Sequence, residues 1–531
     1  MRTTRTTMTA THPVLGPAAI LAAALFAAAP AFAQDDGDGH GHAIKSGGRG
    51  DRHSPSWDDV MKLKGEPKSP NFPKVGEGIE RHVLDNGLVV YLAEDRSLPI
   101  VRVELLFRGG DYYEPAAEQG VASFTGSEMR NGGTERMTPD ELDDHLAFLA
   151  ANLSSSIGDE TGNVSLDVLS DDLDEGLAHF SDVVLRPRFD SERFELSKRR
   201  RAFQIQHRND NPGQIARREF DKLLFGESHP RGRELKLERL DEIRRDDLVR
   251  AHGKYIRPNN STLVAVGDFA PGEMLERIRT ALGTWQKGEA LPPLKAAADL
   301  TPKPGVFLID RKVNQSNILI GHIGINRDNP DRFAVALMND VLGGGSFSSR
   351  ITERVRSDEG LAYSASSRFD VSGREIGTFT ASVQTKTEST ARAVSLILDE
   401  VRKIRETGSL SRNEFDTARE STLFSYVFRF ENRFGNVARL ARYEMDGRPA
   451  DTDRVEFEGY GKVAPEAIEA AAKAYLRPDA LTILVVGDKT EIGDTLAAFG
   501  PVKTIELEDE APAPRRGGGP PGGGRGGNER P

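Results

Sequence analysis

Alternation of apolar and polar positions predicts that the ordered part of the chain begins with a β-hairpin. Two β-prone runs, residues 82–84 and 88–92, are separated by a short polar turn. The turn contains Asn86-Gly87, a pair that favours the left-handed backbone of a tight hairpin. Residues 101–105 then alternate apolar and polar side chains, which predicts a third strand.

Two amphipathic helices and a further strand follow the hairpin. Residues 139–149 repeat apolar positions with a helical period, and Thr138 precedes them as a candidate N-cap. Residues 164–169 alternate as a strand, and residues 172–184 return to the helical period. Together these elements indicate an α+β fold class.

The clearest feature of the sequence is an internal repeat. The segments YIRP at 255–258 and YLRP at 475–478 lie 220 residues apart, and each stands between a helical pattern and an apolar strand that ends in Gly-Asp. That aspartate, Asp268 or Asp488, is a candidate N-cap for the next helix. The same order of elements in both halves predicts two homologous α+β domains.

Residues 1–33 have the pattern of an export signal. Arg2 and Arg5 precede an apolar run that closes on Ala-Phe-Ala, a typical cleavage site. An uncleaved membrane anchor is the alternative, because the run is nearly long enough to span a bilayer. No later stretch is apolar enough to cross a membrane. The sequence therefore predicts an exported protein, periplasmic or secreted, without a stable membrane span after cleavage.

Composition divides the rest of the chain into domains and connecting segments. Residues 34–75 and 509–531 are rich in glycine and poor in large apolar residues, which predicts a disordered leader and a disordered tail. Residues 291–304 contain several prolines and are predicted to be a linker. The two predicted domains are residues 76–290 and 305–508.

Charge and cysteine content exclude several classes of function. The chain has 531 residues, a formal net charge of -11 and no cysteine. The acidic balance argues against nucleic acid as a partner. Absence of cysteine excludes disulfides and cysteine-based zinc sites.

The stretch LGGGSFSSRITERVRSDEGLAY, residues 342–363, is the strongest candidate site. It opens with small residues and one phenylalanine: Gly343, Gly344, Gly345, Ser346 and Phe347. Consecutive glycines permit a mobile backbone and a close approach to an extended peptide. These residues are therefore candidate substrate contacts, and a plain loop before a helix is the alternative.

Arg356 and Tyr363 form the second part of this candidate site. A helix ending at Gly360 would direct Arg356 one way, and the strand after it could bring Tyr363 back beside it. A guanidinium and a phenol both suit the binding of peptide carbonyls. The alternative is a surface arginine and a half-buried strand tyrosine that share no role.

The repeat, LGGGSFSSR and VRSDEGLAYS together resemble the M16 (insulinase/pitrilysin-type) peptidase family over about residues 76–508. The chain is most similar to the shorter bacterial and mitochondrial-processing-peptidase-like members. The resemblance implies two homologous domains, each a mostly antiparallel sheet packed with helices, that form half of a clamshell. It also implies that Arg356 and Tyr363 bind the substrate backbone opposite a zinc ion and help to stabilise the oxyanion.

The same resemblance implies an inverted zinc motif, H-x-x-E-H, on a helix of the first domain. Two histidines at i and i+4 share one face and can hold zinc, with the glutamate as general base. Here Ser123 and Ser127 stand at the histidine positions, and Gly126 stands at the position of the base. Serine hydroxyls are poor zinc ligands near neutral pH, and glycine cannot accept a proton. The zinc motif is therefore degenerate.

The remaining candidate metal ligands are also missing from the sequence. The family's third ligand is a glutamate roughly 75 residues downstream, where Gln204 and Gln206 occupy a region without acidic residues. No two of the histidines stand three or four positions apart, so no helical histidine pair offers an alternative site. The sequence predicts no metal and no cofactor in this chain.

With a degenerate zinc motif and a retained Arg/Tyr pair, the chain resembles the zinc-motif-lacking subunit of M16B-like heterodimers and of mitochondrial processing peptidase. The resemblance implies a non-catalytic, substrate-binding subunit of an exported heterodimeric M16-type zinc metallopeptidase. The chain alone would be inactive, and it would supply Arg356 and Tyr363 for peptide hydrolysis at the zinc of a partner subunit. That partner would be an M16 chain carrying H-x-x-E-H, and the substrates would be peptides. The alternative is a catalytically inert structural or peptide-holding homologue.

Overall fold

Two six-stranded sheets form the framework of the structure, a computed structural model. It describes residues 65, 67–292, 294, 300, 302–345 and 348–508. The predicted export signal, most of the predicted leader, the predicted tail, Ser346 and Phe347 lie outside the described residues. Among the helices that are described, none has the length and apolar character that crossing a bilayer requires.

The first sheet has the strand order β1-β2-β6-β3-β5-β4. Its strands are β1 Glu80–Val83, β2 Val89–Glu94, β3 Ile100–Arg108, β4 Asn152–Ile157, β5 Thr161–Leu169 and β6 Ser261–Gly267. Strands β2 and β6 are parallel, and all the other neighbours are antiparallel. The sheet therefore ends in β4 at one edge and in the short β1 at the other.

The helices of the first half connect these strands and cover the sheet. They are α1 Val121–Asn131, α2 Pro139–Phe148, α3 Leu173–Leu185, α4 Ser191–Gln206, α5 Pro212–Phe225, α6 Leu237–Glu242, α7 Arg245–Tyr255 and α8 Pro271–Leu282. Side chains from one face of the sheet pack with most of these helices in a large apolar core that includes Leu105, Phe107, Met129 and Phe180.

The second sheet repeats the topology of the first, with the order β12-β7-β11-β8-β10-β9. Its strands are β7 Gly305–Asp310, β8 Gln315–Ile323, β9 Ala362–Phe369, β10 Thr378–Lys386, β11 Thr482–Gly487 and β12 Val502–Thr504. Strand β7 is parallel to β11 and β12, and the other neighbours are antiparallel. Strands β7 to β11 thus occupy the places of β2 to β6, which confirms the predicted α+β repeat of mostly antiparallel sheets.

The helices of the second half contribute residues to its apolar core and to the candidate site. They are α9 Arg332–Asn339, α10 Arg350–Thr352, α11 Thr390–Lys403, α12 Arg412–Ser425, α13 Arg433–Met445, α14 Thr452–Gly461, α15 Pro465–Tyr475 and α16 Lys489–Ile492. Two single π-helical turns, Asp340–Gly344 and Glu353–Asp358, continue α9 and α10. π-Helical turns are rare in proteins, and many of those that are known lie at functional sites.

Local signals in the sequence located several elements correctly. Asn86 and Gly87 form the turn between β1 and β2, and Gly87 has a φ of +83°. Thr138 caps α2 as predicted, since its Oγ1 accepts from the Glu141 N–H at 3.3 Å while the Glu141 carboxylate accepts from the Thr138 N–H. Asp488 also caps its helix, but the prediction for Asp268 is wrong. The N-cap of α8 is Ala270, two residues later, and it provides no side-chain cap.

The two halves exchange one helix each. Helix α13 from the second half packs through Val437, Leu440 and Met445 on the outer face of the first sheet. Helix α5 from the first half packs in the same way on the second sheet. Their N-caps, Asn211 and Asn432, are 221 positions apart, so the exchange follows the internal repeat. Each half therefore buries one face of its sheet with a helix from the other half.

Candidate functional site

Helix α1 carries the three degenerate zinc-motif positions on one face. Ser123, Gly126 and Ser127 stand at i, i+3 and i+4. The Ser123 hydroxyl donates to the carbonyl of Gly120 at 3.1 Å, and the Ser127 hydroxyl donates to the carbonyl of Phe124 at 3.1 Å. Both serines thus bond to their own helix, as serine does in helix interiors.

Gly126 lies at the closest approach between α1 and the edge strand β4. A Cβ placed at this residue would lie 2.2 Å from the backbone nitrogen of Ile157, which is far inside contact distance. The Ser155 hydroxyl also donates to the Gly126 carbonyl at 2.6 Å. A side chain at position 126 would have to separate α1 from β4. The packing therefore excludes a general base here, in addition to the missing carboxylate.

A buried carboxyl stands next to these positions but does not replace them. Glu128 is fully buried, and its Oε1 accepts from the hydroxyls of Ser197 at 2.7 Å and Ser127 at 3.3 Å. Burial raises the pKa of Glu128, against the smaller opposing effect of these hydroxyls. Its Oε2 has no hydrogen-bond partner. The side chain links α1 to α4 in the core.

A second buried carboxyl, Glu114, caps the start of α1. It accepts from the backbone N–H groups of Gly120 at 2.9 Å and Ala122 at 2.6 Å. Burial raises the pKa of Glu114 to about 7, although both N–H groups favour its charged form. Sequence reasoning missed Glu114 and Glu128, since single acidic residues outside a motif give no signal of burial.

The residues around α1 do not fit a zinc ion. The region of the expected third ligand contains the exposed Gln204 and the half-buried Gln206, both uncharged. Within the described ranges, one group of three metal-ligating side chains lies close together, and it belongs to α2 and α3 rather than to α1. Ser123, Gly126 and Ser127 therefore offer neither a zinc-ligand pair nor a general base on this face of α1.

The structure brings Arg356 and Tyr363 together, as the sequence predicted. Arg356 lies on the π-helical turn that continues α10, and Gly360 follows with a φ of +64°. A backbone hydrogen bond of 3.0 Å from Leu361 to the Val355 carbonyl closes the helix end. The chain then reverses into β9, and the Arg356 guanidinium carbon lies 5.1 Å from the centre of the Tyr363 ring. That distance is within cation–π range.

A β-bulge in the edge strand β9 turns Tyr363 outward. Ala365 pairs with Val383 and Ala362 pairs with Thr385, so Tyr363 and its neighbour Ser364 oppose a single residue of β10. Bulges re-aim side chains next to binding sites. Tyr363 is 87% exposed and Arg356 is partly exposed. Both groups are therefore accessible to a peptide at the edge of the second sheet.

The glycine run is packed more tightly than its sequence suggested. Gly343 and Gly344 belong to the π-helical turn, and the Gly345 N–H donates to the Asp340 carbonyl at 2.9 Å. A Cβ on Gly343 would lie 2.5 Å from Ser367 Oγ, and one on Gly345 would lie 2.4 Å from the Asp340 carbonyl oxygen. Close packing within the chain explains these glycines, and substrate contact by them stays a prediction.

A pocket of about 380 Å³ lies between this turn and α12. It is lined by Gly344, Gly345, Asp340 and Thr422, among others. The Thr422 hydroxyl donates to the Asp340 carboxylate at 3.2 Å. Burial raises the pKa of Asp340 to about 6, partly offset by that hydrogen bond. The pocket therefore places one titratable carboxyl beside the glycine run.

Two family profiles match this chain. One, described as "Peptidase M16 inactive domain", matches residues 242–422. The other, described as "Insulinase (Peptidase family M16)", matches residues 89–229. Together they span more than half of the chain and include both candidate sites.

Relatives and solved structures agree with these profiles. The chain is 24% identical over 404 residues to "Non-peptidase homolog YmxG" of Helicobacter pylori, which covers 76% of this chain and 92% of that protein. A crystal structure of a peptidase M16 inactive domain from Pseudomonas fluorescens superimposes with a TM-score of 0.69 at 24% identity, covering 77% of this chain and 98% of that chain. The periplasmic protease PqqL from Escherichia coli superimposes with a TM-score of 0.66 at 16% identity, covering 90% of this chain and 51% of that chain.

Proposed function

We propose a function from one premise: this chain belongs to the M16 (insulinase/pitrilysin-type) peptidase family and is a homologue of its inactive domains. The proposed function is that of the peptide-binding, non-catalytic subunit of a heterodimeric zinc metallopeptidase. The chain binds the substrate backbone through Arg356 and Tyr363. A partner subunit carrying H-x-x-E-H supplies the zinc ion and the general base. Peptide-bond hydrolysis is performed only by the pair.

One contrast between the two halves supports this proposal. In the first half, Gly126 is packed against β4 so closely that no base fits at its position. In the second half, the bulge of β9 holds Tyr363 in solvent with Arg356 over its ring. A tyrosine whose only role is to pack in an apolar core would not be 87% exposed. The first half therefore has no space for a general base at position 126, whereas the second half exposes two groups that suit peptide binding.

The edge of the second sheet suits an extended peptide. Strand β9 is the last strand of its sheet, so one row of its backbone groups has no neighbouring strand in the sheet order. A peptide can add to such an edge by backbone hydrogen bonds. Arg356 adds a planar group of five N–H donors that suits carbonyl oxygens, and Tyr363 adds a phenolic donor. Preorganised donors of this kind stabilise an oxyanion when the partner's zinc site faces them.

Export belongs to the same proposal. The amino-terminal pattern of residues 1–33 is typical of a cleavable signal. The structural neighbour PqqL is described as a periplasmic protease. We place the subunit pair in the periplasm or outside the cell, where it degrades peptides.

A second candidate function is a structural or peptide-holding role without proteolysis. It is favoured by the description of the H. pylori relative as a non-peptidase homologue. One genetic observation distinguishes the two candidate functions. A neighbouring gene of similar length that encodes H-x-x-E-H supports the subunit pair, and its absence supports the holding role.

Co-purification of the full chain from its native source tests the proposal. The tagged chain is isolated, co-purifying chains are identified by mass spectrometry, and each chain is tested alone and mixed on a library of quenched fluorescent decapeptides. We expect an M16 chain with H-x-x-E-H to co-purify, and we expect cleavage that 1,10-phenanthroline abolishes.

The comparison of single chains with the mixture decides the outcome. The proposal requires that the mixture cleave at least about 100-fold faster than either chain alone, because removal of oxyanion donors costs about 10²–10³ in kcat. Chelator-sensitive cleavage by this chain alone would overturn it. Full activity of the partner without this chain would favour the holding role.

A further inference from the structure

Three metal-ligating side chains meet between α2 and α3, away from the degenerate motif on α1. His145 lies in the last turn of α2, and Glu175 and His179 lie one helical turn apart on α3. One donor atom from each lies within 4.8 Å of the others. His145 Nδ1 is 3.5 Å from Glu175 Oε1, and the two imidazole rings are 5.6 Å apart in an edge-to-face arrangement.

His179 adds a second and independent observation. Its side chain is only 6% exposed, and its Nε2 has no hydrogen-bond partner. A buried polar atom without a partner is energetically costly, so native structures rarely keep one without a reason. An imidazole nitrogen with no hydrogen bond is free to ligate an ion.

We propose that His145, Glu175 and His179 form a binding site for one zinc-class divalent ion that joins α2 to α3. Two imidazoles and a carboxylate are a ligand set that zinc takes in proteins, with water at the fourth position. Imidazole ligands also suit copper and nickel, whereas calcium and magnesium prefer oxygen ligands. The site is separate from the family's zinc motif and does not rest on the proposed function.

The geometry allows an ion after a small adjustment of two side chains. Ligands about 2.0–2.2 Å from a tetrahedral ion lie about 3.4 Å apart. The ligand atoms here reach separations of up to 4.8 Å, so the set must contract. The side chains of His145 and Glu175 are 48% and 49% exposed, and they can rotate toward the buried His179.

The charges of the three side chains also suit an ion. Imidazole ligates metal in its neutral form. The carboxylate of Glu175 balances part of the ion's charge.

Zinc titration of the full chain tests this site. The glycine-rich leader contains His40-Gly41-His42, which offers adventitious contacts, so every variant carries His40→Ala and His42→Ala. Zinc binding is measured by competition with a chromophoric chelator. We expect one ion per chain in this background. Removal of a residue that only supports a ligand costs about 10–100-fold in affinity, so His145→Ala and Glu175→Gln should each weaken binding at least about 100-fold.

The choice of variants keeps the test independent of folding. His145 and Glu175 are half-exposed, so their substitution leaves the core intact, and circular dichroism checks this for each variant. His207→Ala is the matched control. His207 is a half-exposed histidine whose Nδ1 lies 2.7 Å from Asp210, and the described part of the chain places no third metal-ligating side chain beside them. X-ray absorption at the zinc edge should report two imidazole nitrogens.

Each result supports or overturns the proposal. Binding of one ion that His145→Ala and Glu175→Gln abolish and His207→Ala retains supports it. No zinc binding in the parent chain overturns it, as does binding that the His145 and Glu175 variants leave unchanged. Peptidase activity is not part of this test, so its outcome is distinct from that of the subunit proposal.

Discussion

The guanidinium of Arg356 lies over the ring of Tyr363, with 5.1 Å between the guanidinium carbon and the ring centre. The contact joins a π-helical turn to an edge strand across Gly360, whose φ of +64° permits the reversal of the chain. Neither group belongs to the two large apolar cores. The pair thus lies outside these cores, and Tyr363 remains accessible to solvent.

Substitution of this pair should lower activity without disturbing assembly. Arg356→Ala and Tyr363→Phe should each reduce kcat/KM of the subunit pair about 10²–10³-fold, because each removes a donor to the substrate or oxyanion. The measurement is cleavage of a fluorescent peptide at fixed subunit concentration. Tyr363→Phe keeps the ring beneath Arg356 and so isolates the phenol.

A neighbouring arginine provides the control for that experiment. Arg354 lies two residues away on the same turn and pairs with Asp358 at 3.6 Å. Arg354→Ala should leave kcat/KM within about twofold of wild type, since exposed ion pairs contribute about 0–1 kcal/mol. Equal losses in all three variants would show a general effect of charge or folding rather than a specific site.

Substitution of Gly126 should destabilise the chain. Gly126→Ala places a methyl group against the backbone of β4, and overpacking of this kind costs about 1–3 kcal/mol. Gly272→Ala is the matched control, because Gly272 is an exposed helical glycine with no atom within 4 Å of an added Cβ. Alanine there should be neutral or stabilise by up to about 1 kcal/mol. Urea unfolding measures both, and equal effects would contradict the packing argument.

Restoring the zinc motif should fail for the same reason. The triple variant Ser123→His, Gly126→Glu, Ser127→His supplies the residues of H-x-x-E-H, but its glutamate has no space beside Ile157. We expect a larger loss of stability than in Gly126→Ala and no peptide cleavage that 1,10-phenanthroline inhibits. Recovery of such cleavage in a stable protein would show that α1 can move from β4 at little cost.

The ion pair between the halves should make stability depend on pH below neutrality. Arg81 Nε on β1 donates to Glu444 Oε2 on α13 at 2.7 Å, and the Tyr91 hydroxyl donates to the same carboxylate. The hydrogen bond from Arg81 is the main cause of a pKa of Glu444 below its ordinary value of 4.5. The folded state thus binds this proton less tightly than the unfolded state. Its contribution to stability is present above pH 4.5 and is lost as pH falls through the folded pKa.

A glutamine variant measures that contribution. Glu444→Gln should lower the free energy of unfolding at pH 7 by up to about 1 kcal/mol, because the pair is partly exposed. The difference from wild type should disappear in acid, where both side chains are neutral. Glu458→Gln is the control, since Glu458 forms only local ion pairs among the described residues, with Arg454 and Lys462 four positions to either side. A difference from wild type that is as large at pH 3 as at pH 7 would argue against the ion pair.

Truncation of a side chain on one of the two exchanged helices should destabilise the sheet on which that helix packs. Leu440 on α13 is 2% exposed and packs on the first sheet. Leu440→Ala should cost about 2–5 kcal/mol and increase hydrogen exchange in β2 and β6. Ile397→Ala on α11 is the control, since Ile397 is fully buried in the second core and should act on the second sheet. Identical hydrogen-exchange patterns in the two variants would contradict the packing of α13 on the first sheet.

Sequence reasoning located the elements whose signals are local. Asn86-Gly87 specified the hairpin, Thr138 specified the start of α2, and the repeated YIRP and YLRP segments specified matching strands β6 and β11. It also placed Arg356 beside Tyr363, because a glycine after a helix and an apolar strand leave few paths for the chain. Short-range preferences were enough for these features.

Features that depend on distant residues were not predicted. The need for glycine at 126 comes from Ile157 on another element, and the exchange of α5 and α13 depends on contacts across half the chain. The group of His145, Glu175 and His179 contains no histidine pair at helical spacing that would mark it in the sequence. The i, i+4 spacing of Glu175 and His179 is visible in the sequence, but the third ligand comes from another helix.

The exchange of helices also has a consequence for biogenesis. Translation delivers the first sheet more than 160 residues before α13, which begins at Arg433. Until then the outer apolar face around Tyr91 and Val266 has no cover. A newly made chain must therefore avoid aggregation through this face until about its last fifth has been synthesised.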